Sequence, residues 1–234
     1  MIIFFAEVTG QHAQLTMEES WHCSKVLRKK SGDQVQLIDG RGNFYEAVLD
    51  LVTEKKCTAK ITHGPIAEDP LPYELHLAIA PTKQMDRTEW LIEKAVEVGI
   101  SEISFFHSEH SEREVIKTER IMRIIESATK QSLRAKLPVQ NEMVPLKELI
   151  KKVHSQQKYI SHCVDLPKKD IREVDLSSGS ITILIGPEGD FSRTEIDFAL
   201  EKGFTGLSLG KARLRTETAG LFVCIAASVK SEVK

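Results

Sequence analysis

The chain has 234 residues, 41% of them hydrophobic and 28% charged, with a formal net charge of -2; this is the make-up of an ordinary globular protein, not of a fibrous or disordered one. The apolar start Met1-Ile-Ile-Phe-Phe-Ala6 is short and has no basic residue ahead of it, which argues against a signal peptide, and no run of eighteen apolar residues offers a membrane span. The four cysteines, Cys23, Cys57, Cys163 and Cys224, show neither pairing nor metal spacing, so a reducing, cytoplasmic setting is expected, and the near-neutral net charge leaves nucleic acid open as a partner.

In chain order, Met1 to Ala6 reads as a strand and Thr16 to Lys30 as a helix ending in a basic run. That run, Lys25-Val-Leu-Arg-Lys-Lys30, carries four cations before the Gly32-Asp33 turn. Residues 34 to 62 alternate as β-structure around the turn Asp39-Gly-Arg-Gly-Asn43, which completes a small antiparallel barrel. Three prolines between His63 and Tyr73 block helix and interior strand, so a linker and a boundary near residue 72 are expected.

Beyond the linker, strands and helices alternate. Strands are expected at 74–80, 100–106, 158–163, 181–185 and 205–209, with helices at 86–98, 118–134, 146–154, 193–202 and 216–230. That order implies an α/β domain with a mainly parallel sheet. Asp86-Arg-Thr-Glu89 and Ser192-Arg-Thr-Glu195 read as capping boxes, and Gly99 and Gly203 stand where left-handed caps are wanted.

Two stretches carry chemistry. Ile181-Thr-Ile-Leu-Ile-Gly-Pro-Glu-Gly-Asp-Phe-Ser192 is an apolar strand running into a glycine loop and a capped helix, the place where open α/β sheets bind ligands. It is neither a dinucleotide fingerprint nor a Walker loop, so a phosphate-free ligand is expected. Leu207-Ser-Leu-Gly-Lys-Ala-Arg-Leu-Arg-Thr-Glu-Thr-Ala219 leaves a second strand through Gly210 and gathers Arg213, Arg215 and Glu217 at a helix start. Those charges are either a solvated face or groups aimed into a cleft; two adjacent strand ends bearing glycine loops favour the cleft. His107 and His110 lack a third ligand of suitable spacing, so no metal is expected. Between Ser111 and Lys136, seven Lys/Arg against four Asp/Glu leave a local net of +3, either a solvated helix face or an RNA-facing one.

These residues resemble a known family. Gly186-Pro-Glu-Gly189 with Phe191-Ser192 and Glu195, then Leu209-Gly210 and Leu214-Arg-Thr-Glu-Thr-Ala219, are similar to the paired C-terminal motifs of the uridine-N3 methyltransferases of small-subunit (16S) ribosomal RNA, in the SPOUT or trefoil-knot superfamily. Lys83, Arg87, Glu89, Lys94-Ala95, Glu97 and Gly99 resemble the family's helix after the first strand, and Gln131-Ser132, Arg134 and Pro138 its central helix end. In the N-terminal part His22, Val26-Leu-Arg28, Gly32-Asp33 and Asp39-Gly40-x-Gly42 follow the family's order. The chain departs from the pattern in having Asp190 for a usual glycine, Lys130 for Glu, His110 for Arg, and Ala212-Arg213 for Arg-Ile.

The resemblance implies a PUA-like, RNA-binding barrel over residues 1–72 and a knotted α/β methyltransferase domain over 73–234, assembled as a homodimer. It implies S-adenosylmethionine held by Ile185, Gly186, Pro187, Glu188, Gly189, Leu209, Gly210 and Leu214. Glu217 would serve as base or base-orienter, with Arg215 or Arg213 stabilising a uracil anion. Lys25, Arg28, Lys29, Lys30, Arg87, Arg123, Lys130 and Arg134 would hold 16S ribosomal RNA or the assembled small subunit. Two alternatives stay open: a knotted methyltransferase acting on a ribose 2′-hydroxyl or another base, and a non-catalytic RNA-binding protein that uses only its barrel.

Overall fold

The computed structural model describes residues 2–232. The chain divides into two units, Met1–Pro70 with Thr129–Leu137, and Leu71–Ala128 with Pro138–Lys234. A boundary read only from the prolines leaves every later residue in the second domain. The structure instead returns 129–137 to the first unit, where Ala135 and the half-buried Leu137 join Ile3, Phe5 and Ile38 in one apolar cluster.

In the first unit β1 (Ile3–Thr9), β2 (His12–Leu15), β3 (Gln34–Ile38), β4 (Asn43–Val52) and β5 (Cys57–Ala67) close a barrel in the order β1-β2-β5-β4-β3. Two-residue alternation decides what lies inside: Phe4, Ala6, Val35, Leu37, Ala47 and Leu49 fill the barrel, while Ile3, Phe5 and Ile38 face the other way. Three details depart from the sequence-based expectation. The barrel closes through a parallel pairing, with Phe4 opposite Leu37, so it is not wholly antiparallel. The expected linker is still strand as far as Ala67, because a register shift between Phe44 and Glu46 forms a bulge that accommodates Gly64 and Pro65. The helix expected to Lys30 is short: α1 (Met17–Trp21) passes into a π-helical turn, His22–Val26, and Arg28 adopts φ 51°. The basic residues therefore stand on an irregular turn.

In the second unit β6 (Tyr73–Ile79), β7 (Glu102–His107), β8 (Val139–Gln140), β9 (Val144–Pro145), β10 (Gln157–Ser161), β11 (Lys169–Asp170), β12 (Gly179–Ile185) and β13 (Thr205–Ser208) form one sheet. Its order is β11-β13-β10-β12-β6-β7-β8, with β9 beside β7, and the pairings are parallel. The helices are α2 (Met85–Val98), α3 (Thr118–Gln131, whose residues from Thr129 on count with the first unit), α4 (Leu146–Lys152), α5 (Arg193–Glu201) and α6 (Thr216–Glu232). Ala78, Ile160 and Leu184 of the central strands pack with Leu149 and Ile150 of α4 and Ile196 and Ala199 of α5. Helices α2 and α6 meet on Ile79, where a Cβ on Gly220 would come within 2.9 Å of Leu91 and 3.0 Å of Ile79; only glycine lets α6 lie this close. Covered on both faces, the central strands are buried at consecutive positions, Ile181–Ile185 of β12 and Leu77–Ile79 of β6 among them.

Gly99 takes the expected left-handed cap of α2 at φ 118°, and Glu195 closes a capping box by accepting the Ser192 N–H at 2.9 Å. The box expected at Asp86–Glu89 does not form. Helix α2 starts earlier, with Gln84 as N-cap, and Glu89 is drawn away to Arg120. Helix α3 stops at Gln131 and Leu133 turns at φ 57°, so Arg134 leaves the helical face that Arg123 occupies. Among the described residues no helix is long and apolar enough to cross a membrane. The architecture is the expected one: a closed barrel and an α/β domain built on a parallel sheet.

Candidate active site

A parallel sheet brings its carboxyl ends to one edge, and here five loops gather there: 80–84 after β6, 108–113 after β7, 162–168 after β10, 186–192 after β12 and 209–215 after β13. The two glycine loops do not leave neighbouring strands, as the sequence suggests, because β10 lies between β12 and β13 and pairs with both. Strand order is a property of tertiary pairing, and nothing in the local pattern announces this insertion. The end of β10 is consequently a third wall of the site.

The loop after β12 is the hub of this edge. The Ala80 N–H donates to the Ile185 carbonyl at 3.1 Å, and the Lys83 N–H to Glu188 Oε1 at 3.0 Å. His110 Nδ1 lies 3.0 Å from the Asp190 carbonyl, and the Cys163 N–H donates to Asp190 Oδ2 at 2.7 Å. The Thr216 hydroxyl donates to the Gly186 carbonyl at 3.1 Å, which joins the two sequence motifs directly. Asp190, Cys163 and Thr216 escaped the sequence reading of the site. The departure from glycine at Asp190 was a signal for the first; the other two act through a backbone N–H and through a distant carbonyl.

The glycines have different reasons. A Cβ on Gly186 would stand 3.0 Å from the Phe191 ring, and one on Gly189 would stand 2.9 Å from His110 Cβ. Internal packing therefore already demands glycine at both, before any ligand is considered. Gly210 is the opposite case: at φ 110° its Cβ direction meets nothing within 4 Å, so the loop after β13 presents bare backbone to open space. Ile185, Gly186 and Pro187 are buried, Leu209 and Leu214 half-buried, and Glu188, Gly189 and Gly210 exposed, which gives the edge an apolar floor with a polar, glycine-edged rim.

Glu217 sits in the first turn of α6, 7% exposed, and its Oε2 has no hydrogen-bond partner among the described residues. Oε1 lies 3.9 Å from Arg87 Nε, so Arg87, expected to meet RNA, is placed beside the expected base. A buried carboxylate oxygen with nothing to accept is costly unless a ligand supplies the donor. Arg213 and Arg215 are exposed at the same edge. His162, just beyond β10, is likewise buried with both ring nitrogens lacking partners among the described residues. Its burial, followed by the Lys168 ammonium, lowers its pKa below the ordinary histidine value and keeps the ring neutral.

The other cations expected on RNA are spread across both units. In the first, Arg28 and Lys30 are exposed and Lys29 half-buried, while Lys25 is engaged by Glu54 at 2.8 Å. Lys130 pairs with the buried Glu19, and Arg134 lies 3.7 Å from Glu68, so those two charges are answered within the unit. Arg123 is exposed on α3. Among the described residues no group of three or more His, Cys, Asp or Glu is placed to hold a metal.

The carboxyl edge of the sheet, with its glycine loops and the buried Glu217, follows a β-barrel in the chain, and two family models identify that combination as an RNA methyltransferase. The family model described as "RNA methyltransferase domain" matches residues 69–228, and "RNA methyltransferase PUA domain" matches residues 15–62. The chain is 31% identical to ribosomal RNA small subunit methyltransferase E of Aquifex aeolicus, over 94% of this chain and 95% of that protein. It is 37% identical to a "probable rRNA-methyltransferase" from Porphyromonas gingivalis, whose crystal structure matches with a TM-score of 0.90 over 100% of this chain and 99% of that one. Ribosomal RNA small subunit methyltransferase E from Neisseria gonorrhoeae, solved bound to S-adenosyl methionine, is 27% identical with a TM-score of 0.85, covering 97% and 96% of the two chains. The chain belongs to the ribosomal RNA small subunit methyltransferase E family.

Proposed function

We propose that this protein methylates N3 of one uridine in 16S ribosomal RNA, with S-adenosylmethionine as methyl donor. The observation that carries the reading is Glu217: a buried carboxylate with one oxygen unanswered among the described residues, tied through its neighbour Thr216 to the glycine loop at Gly186. The donor's chemistry fits the residues present. It bears no phosphate, and the edge offers an apolar floor at Ile185, Leu209 and Leu214 with bare backbone at Gly210. When bound, S-adenosylmethionine supplies an electrophilic methyl group.

Uracil N3 carries an imide proton and becomes a competent nucleophile only as that proton leaves. Glu217 Oε2 accepts it, Arg215 or Arg213 offsets the negative charge developing on the ring oxygens, and Arg87 holds the carboxylate in place. The remaining work of the site is alignment. The target base is unpaired, since a paired uracil has its N3 edge occupied. Residues 1–72 hold RNA through Arg28, Lys29 and Lys30, and residues 73–234 hold the donor and do the chemistry.

The working unit is a homodimer. Phe222, Ile225 and Val229 form an exposed apolar stripe along α6, the helix whose first turn carries Glu217, and at 41%, 42% and 54% exposure they invite a second copy. The test of the whole reading is nucleoside mass spectrometry of 16S ribosomal RNA from cells with and without the protein. Loss of a single N3-methyluridine is expected; a missing 2′-O-methyl nucleoside, or no change, refutes it.

A further inference from the structure

Asp190 occupies a left-handed backbone position that suits glycine, with φ 63°. An aspartate at this point accepts a conformational cost, and the structure shows what offsets it. Its Oδ1 accepts the Phe191 N–H at 2.8 Å and its Oδ2 accepts the Cys163 N–H at 2.7 Å, both short enough to be charge-assisted. The first bond sets the backbone of Phe191, whose ring stacks on Phe106 with centroids 5.9 Å apart and fills the space beside Gly186. The second reaches across to the loop after β10, the wall that separates the two glycine loops. Within that loop Lys168 Nζ donates to the carbonyls of His162 at 3.2 Å and Val164 at 2.9 Å, and Val164 and Leu166 pack on the core beneath, so the Asp190 bond is the hydrogen bond that ties this wall to the loop after β12. One carboxylate thus couples the lining of two strand ends.

We propose that Asp190 is a positioning residue of the donor site: its carboxylate clips the loops after β10 and β12 together and holds them at binding spacing before the donor arrives. A site ordered in advance does not lose that ordering entropy on binding, so the clip shows as affinity for the donor. The inference rests on the S-adenosylmethionine reading given above.

The test uses the full chain and three substitutions. Asp190→Gly suits the backbone and removes the clip; Asp190→Asn keeps one acceptor oxygen for two N–H groups; Asp190→Ala keeps neither acceptor. The KM for S-adenosylmethionine is expected to rise about tenfold in Asp190→Gly, with kcat at saturating donor within twofold, and Asp190→Asn to fall between it and the wild type. Hydrogen exchange at the Cys163 amide is expected to quicken in Asp190→Gly. A purely structural role would lower kcat with the folded fraction and leave KM where it was, and that result overturns the proposal, as does wild-type KM in Asp190→Gly. Failure of the wild-type chain to bind S-adenosylmethionine in calorimetry would instead overturn the donor reading itself.

Discussion

Replacing Glu217 by Gln preserves shape and hydrogen-bonding reach and removes the ability to take a proton, which separates a base from a good helix-start residue. Loss of a general base costs about 10²- to 10⁴-fold in rate. At about 1.36 kcal/mol per decade this is roughly 2.7 to 5.4 kcal/mol of transition-state stabilisation. The structural contribution of the same carboxylate is small by comparison. Its cation, Arg87, is 3.9 Å away with a side chain 36% exposed, and a pair that long and that screened is worth about 1 kcal/mol or less. In a chain of this length that corresponds to a Tm shift of about 2–4 °C. Single-turnover methylation of small ribosomal subunits is therefore expected to fall at least a hundredfold in Glu217→Gln, with donor affinity in calorimetry nearly unchanged. Turnover within a few-fold of wild type would refute the assignment, and Arg215 would then be the residue to examine.

Gly210→Val should abolish S-adenosylmethionine binding, because valine puts a side chain into the open space beside this backbone and cannot keep φ 110° without strain, while circular dichroism stays native because the change is confined to one exposed loop; wild-type affinity would sink the idea. Neutralising Arg28, Lys29 and Lys30 together should flatten the salt dependence of RNA binding by about two units of log–log slope and spare donor affinity, and an unchanged slope would count against the barrel patch. His76 and His162 are both held below the ordinary histidine pKa of 6.5, chiefly by burial. The unfolded chain consequently binds more protons as pH falls through 6.5, so stability should decline from pH 7.5 to 5.5, and His162→Leu should weaken that decline. The idea fails if Tm is level across that range. Phe222→Glu with Ile225→Glu should convert the dimer to a monomer in sedimentation, whereas a wild-type monomer at micromolar concentration would remove the dimer altogether.

The α/β alternation, the covered parallel sheet and the strand-to-helix glycine loops were legible because each rests on local chemistry: two-residue and 3.6-residue periodicities, a capping Glu195 three residues beyond Ser192, a left-handed Gly99. Errors fell where a local signal met a tertiary one. Pro65 looked like linker but is tolerated in β5 by a bulge, and Glu89 looked like half of a capping box but is taken by Arg120. Elsewhere the tertiary structure adds what the sequence could not show: Lys130 and Arg134, read with Arg123 as RNA-facing, have Glu19 and Glu68, distant in sequence, as ion-pair partners.

The sequence by itself determined which residues are chemically able: the glycines that free backbone, the carboxylate at a helix start, the arginines close to it. What only the tertiary structure decided is their company. The placement of β10 between β12 and β13, the reach of Asp190 to the Cys163 amide, the seat of Thr216 on Gly186 and the orphaned oxygen of Glu217 all depend on strands pairing out of sequence order. Such pairings are chosen by the summed burial of the whole sheet and leave no periodicity in the segments they join.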